Sequence, residues 1–131
     1  MLYEIGMTAT RTMHCTDEKI RQFADVSGDE NPIHLDDDYA ATTQFGKRIV
    51  QGMLTASLFS AILANDLPGY GTVYLGQNLK FTKPVFIGDT ITATVTITKI
   101  REGRNIITFD TICTNQDGET VIKGDATVLA P

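Results

Sequence analysis

Between Val50 and Asn65 the chain carries no charged side chain, and this stretch limits what the rest can fold into. Val50, Leu54, Leu58 and Ile62 recur at helical spacing, while Met53, Ala56, Ala61 and Ala64 extend apolar character around the other sides. A helix that is apolar on nearly every side has to be buried. It is also too short for a membrane span, which takes about 18 or more apolar residues. Its small residues, Ala56, Ser57, Ser60, Ala61 and Ala64, let other backbone approach closely, and Pro68-Gly69 stops it. A buried helix needs a surface wrapped around it.

The remainder of the chain supplies that surface. After Gly69 the hydrophobic period changes from 3.6 to 2, and strands are predicted over 72–82, 89–101, 105–115 and 119–129. In the second of these Ile91, Ala93, Val95 and Ile97 share one face, with threonines opposite, as in an antiparallel sheet covered on one side. Glu102-Gly103-Arg104 and Gln116-Asp117-Gly118 are hairpin turn signals. Upstream, residues 8–14 read as a strand. Thr16 caps an amphipathic helix over 17–26, with Asp17 and Glu18 in its first turn, and Asp36-Asp37-Asp38 leads into a short helical piece. The predicted order is strand, helices, one buried helix and a four-strand meander, an α+β arrangement.

Length and charge exclude several functions. The 131 residues suit one domain over 1–131 with a single core. A net charge of -5 argues against a general nucleic-acid binder. The beginning of the chain carries Glu4 and no apolar leader pattern, so a soluble, cytoplasmic protein with no membrane partner is expected. Two cysteines, Cys15 and Cys113, do not make a disulfide framework, and His14-Cys15 point to opposite faces of a strand. With only His14 and His34 and no Cys/His cluster, no metal site is expected.

The stretch that carries chemistry is Ser27-Gly28-Asp29-Glu30-Asn31-Pro32-Ile33-His34. Fully extended, the five steps from Asp29 to His34 would part their side chains by roughly 17 Å. Gly28 and Asn31-Pro32 instead bend the chain, with Asn31 as N-cap, Pro32 at N1 and His34 at N3 of a short helical turn. A carboxylate and an imidazole held together by a rigid turn can share one water molecule.

The segment from Phe23 to His34, with Ala40 following, resembles the hydratase motif of the MaoC-like family. That family contains the R-specific 2-enoyl-CoA hydratases, which have the hot dog fold, an antiparallel sheet wrapped around one long buried helix. The resemblance extends from about residue 16 to the C-terminus and includes Asn78 to Val85 and Gly88 to Ile91. It implies R-specific hydration of trans-2-enoyl-CoA, with Asp29 and His34 as a coupled acid–base unit whose individual roles the sequence leaves open. It places Gly52 at the family's oxyanion position, where a helix N-terminus offers free N–H groups. Asn31 holds the turn and helps position the catalytic pair.

By resemblance to short-chain members, Ser60, Leu63 and Val128 are candidates for the far wall of the acyl pocket. Lys47, Arg48, Lys80, Lys83, Arg101 and Arg104 are available for the phosphates of the coenzyme end. No cofactor is expected, because the coenzyme A thioester, or an acyl-carrier-protein thioester, is the substrate. Two hot dog chains join their sheets edge to edge, so a homodimer is expected. The alternatives are a hot dog thioesterase and a non-catalytic hot dog partner subunit.

Overall fold

The computed structural model describes residues 2–131. Strand β1 (Thr8–His14) is followed by helix α1 (Asp17–Ser27), two short helices α2 (Pro32–Leu35) and α3 (Asp37–Ala41), and the long helix α4 (Gly52–Asn65). Four strands close the chain: β2 (Val73–Phe81), β3 (Thr90–Arg101), β4 (Ile106–Thr114) and β5 (Thr120–Leu129). No helix among the described residues is long and apolar enough to cross a membrane.

The strands form one antiparallel sheet in the order β1-β3-β4-β5-β2. This corrects the expected four-strand meander, since only β3, β4 and β5 follow one another. The two edges of β3 are taken by β1 (His14 opposite Thr90) and β4 (Ala93 opposite Cys113). β2 therefore pairs with the remaining edge of β5, Phe81 lying opposite Ile122. The connection from β2 to β3 is held in place on its way across: Val50 N–H donates to Val85 O at 2.7 Å, and Ile49 forms an isolated bridge with Phe86.

That bridge also shortens α4. The periodicity begins at Val50, but Val50 is held extended by Val85 and Gln51 serves as N-cap, so helical backbone starts at Gly52. α4 packs on the inward face of the sheet. Ile91, Ala93, Val95 and Ile97 of β3, Ile107, Phe109 and Cys113 of β4, and Val121, Ala126 and Val128 of β5 bury against Leu54, Leu58, Phe59, Ile62 and Leu63. Burying each Val, Leu, Ile or Phe side chain among these contributes about 1.5–3 kcal/mol, which makes this layer the main support of the fold. The helix is not buried all round, however. Met53, Ser57, Ser60 and Ala64 are exposed, and the first three of them border a groove toward β2.

Candidate active site

The turn between α1 and α2 is built almost entirely from its own side chains. Gly28 ends α1 in the left-handed region (φ 80°), its N–H donating to Ala24 O at 2.9 Å. Ser27 Oγ donates to Phe23 O (2.6 Å) and accepts from the Asp29 N–H (3.1 Å). Asp29 Oδ1 accepts from the Asn31 N–H at 3.2 Å. Asn31 Oδ1 then caps α2 by accepting from the Ile33 N–H at 3.1 Å, with Pro32 in the first turn as expected. The last two of these bonds shorten the path between residues 29 and 34, and the others fix where it begins.

The result is that His34 Nε2 lies 3.7 Å from Asp29 Oδ2. This is too long for a direct hydrogen bond and suits one bridging water. The opposite ring nitrogen, Nδ1, is 2.8 Å from the carbonyl oxygen of Ile49. A carbonyl only accepts, so Nδ1 carries a hydrogen, and in the neutral form of the ring it is Nε2 that presents a lone pair toward Asp29. His34 is buried, while the Asp29 side chain is 41% exposed.

Both residues line a cavity of about 490 Å³, together with Gly52 and the apolar walls Phe23, Phe45, Val85 and Ile122. Gly52 enters it as the first residue of α4. The preceding Gln51 makes no side-chain cap. Its Nε2 instead donates to Ile20 O at 3.0 Å, and its buried Oε1 has no hydrogen-bond partner among the described residues. The N–H groups of Gly52 and Met53 are consequently left without partners among the described residues, the ordinary condition of an uncapped helix start. A carboxylate, an imidazole and the first two residues of α4, whose N–H groups have no partner among the described residues, thus line one cavity.

Asp29, His34 and Gly52 are brought together, and Asn31 sits in the turn that joins the first two. Ser60 lies elsewhere, in a second cavity of about 560 Å³ between α4 and β2, which shares Phe23 and Met53 with the first. Leu63 and Val128 are buried in the core and line neither cavity. Of the six basic residues considered for phosphates, Lys83 alone lines the Asp29–His34 cavity among the described residues, and it is paired with Glu119.

Arg48 is excluded from phosphate binding because it is buried, donating to His34 O at 2.7 Å and paired with Asp17. Lys47 lies 4.4 Å from the centroid of the Phe86 ring. Burial pushes the Cys15 thiol up to about 11 and Cys113 to about 12, so neither is a nucleophile. Phe45 was not singled out from the sequence, and Phe23, Gln51 and Phe81 were read only as parts of a helix or of the resembling segments, not as parts of the site wall. No local pattern gives their place in the wall, which is set by contacts between distant segments.

One antiparallel sheet wrapped on a long helix, with a polar turn facing that helix's first residue, defines a hot dog protein with an inter-element site. The chain matches the MaoC like domain over residues 4–117, and it belongs to that family. It is similar to an (R)-specific enoyl-CoA hydratase from Rhodospirillum rubrum, 47% identical over 96% of this chain and 87% of the relative. An (R)-specific enoyl-CoA hydratase from Aeromonas caviae is 45% identical over 98% of this chain and 96% of the relative. The solved structure of an (R)-hydratase from A. caviae involved in PHA biosynthesis superposes with a TM-score of 0.96, at 45% identity, covering 99% of this chain and 98% of that one.

Proposed function

We propose that the chain adds water across the double bond of a trans-2-enoyl-CoA to give the (R)-3-hydroxyacyl-CoA, and runs the reverse dehydration. The observation that carries this reading is the 3.7 Å Asp29–His34 pair in the same cavity as the unpartnered N–H of Gly52. Asp29 and His34 hold one water and act as a coupled unit. One water proton is taken up as its oxygen bonds to C3, the C2=C3 electron pair moves toward the thioester carbonyl, and a proton is returned to C2. Charge that develops on the thioester oxygen is met by the Gly52 N–H at the positive end of α4. No cofactor takes part in these steps.

Asn31 fixes the relative position of the pair through the bonds of the turn. The acyl chain runs past Phe23 and Met53, the two residues shared by both cavities, toward Ser60, with Leu63 and Val128 behind it in the core. Two copies of the chain join through the free edge of β2, where Val73 and Leu75 are exposed.

Because one water supplies both the hydroxyl and the proton, addition is syn. Hydration of a short trans-2-enoyl-CoA in deuterium oxide is therefore expected to place the C2 deuterium and the C3 hydroxyl on the same face. An NMR coupling constant for the anti product contradicts the shared-water mechanism, and release of free thiol without hydration points to thioester hydrolysis instead.

A further inference from the structure

A side chain at position 52 would collide with one aromatic ring, which would have to shift to admit it. A Cβ built on Gly52 would lie 2.4 Å from Cε1 and 2.6 Å from Cδ1 of Phe81. The backbone itself sets no such limit, since Gly52 is the first residue of an α-helix and is not among the glycines with positive φ. Phe81 ends β2, where it is aligned with Ile122 of β5, and the next residue anchors the strand end through Thr82 N–H to Val121 O at 2.9 Å. The ring is 53% exposed, yet it lies against the first turn of α4 and lines the cavity that contains Asp29 and His34.

A ring in this place changes what the free N–H groups of Gly52 and Met53 can meet. Backbone donors at a helix start are solvated when open to water, and their effect on an anionic oxygen is strongest where water is excluded. We propose that Phe81 is a positioning residue of the reaction. Its ring walls the N-terminus of α4, keeps bulk water from these donors and directs the thioester oxygen onto them. The same contact is the reason residue 52 is glycine. This inference rests on the hydratase reading of the site and on the oxyanion role given there to Gly52.

Four proteins test it: wild type, Phe81→Ala, Gly52→Ala and the double variant, each assayed for hydration of a short trans-2-enoyl-CoA and for Tm. Phe81→Ala is expected to lower kcat about tenfold with little change in KM, because the N–H groups remain but lose their dry wall. Phe81→Leu, which keeps an apolar wall, is expected to lose less. Gly52→Ala is expected to lower both Tm and kcat, and adding Phe81→Ala to it should restore Tm and raise kcat to the level of Phe81→Ala alone. A purely structural ring would lower Tm without that rescue of turnover. The proposal is overturned if Phe81→Ala keeps the wild-type kcat, or if the double variant is as inactive as Gly52→Ala. Absence of hydration by the wild type overturns the functional reading itself, a result distinct from either.

Discussion

Asn31 links the two residues of the pair by its main chain and its side chain at once. Its N–H is held by Asp29 Oδ1, its side-chain oxygen caps α2, and its carbonyl accepts from the His34 N–H at 3.0 Å. Asn31→Ala keeps the main-chain bonds and loses the cap, so it is expected to destabilise the fold by about 1 kcal/mol, read from urea unfolding. It should also lower kcat more than it raises KM, since the Asp29–His34 distance is no longer fixed. This much was legible in the sequence, because turn chemistry acts over a few residues and Gly28, Asn31 and Pro32 state it directly. The reason for Gly52 was not. It depends on Phe81, which reaches α4 only because β2 pairs with β5.

At the scale of elements, Arg48 ties the site to α1. It is buried, donates to the backbone oxygen of His34 and pairs with Asp17 in the first turn of α1. Arg48→Met removes charged hydrogen bonds in a buried place and is expected to cost about 1.5–3 kcal/mol. The pair also has a pH signature. The hydrogen bond from Arg48, and then that from Arg21, hold the Asp17 carboxyl below the usual carboxylate range. The unfolded state then binds the proton more readily, so the contribution is present above about pH 4 and is lost as pH falls through the lower folded value. Asp17 is half exposed, and solvent screening keeps this term small. Urea unfolding followed from pH 6 to 3 should show a shallower acid loss in Arg48→Met than in wild type.

The element boundaries themselves were largely legible, each strand falling within a residue of its predicted range. The pairing of β2 was not, because alternation marks a strand without naming its neighbour. With β1 and β4 on both edges of β3, β2 cannot pair with β3 and lies instead on the outer edge of β5.

At the scale of the whole molecule, the sheet ends on β2 with one edge unpaired and Val73 and Leu75 exposed along it. An open, apolar edge strand is a site for pairing with another chain. The exposed face of α4, Met53, Ser57 and Ser60, borders the groove beside the same strand. Sedimentation equilibrium is expected to give twice the chain mass of 14.3 kDa. Leu75→Lys should shift the equilibrium toward the single chain, and a monomeric wild type contradicts this assembly.

Asp29 and His34 are proposed to activate one water beside the first turn of α4. The most direct test is the hydration rate of a short trans-2-enoyl-CoA, followed by loss of the conjugated enoyl absorbance. Wild type, Asp29→Asn and His34→Ala are compared after circular dichroism has shown that all three are folded, and the product configuration is read with an (R)-specific dehydrogenase. Wild type is expected to give the R product, and kcat is expected to fall by about 10²–10⁴ in each variant. Hydration at the wild-type rate by either folded variant would contradict this role of the pair.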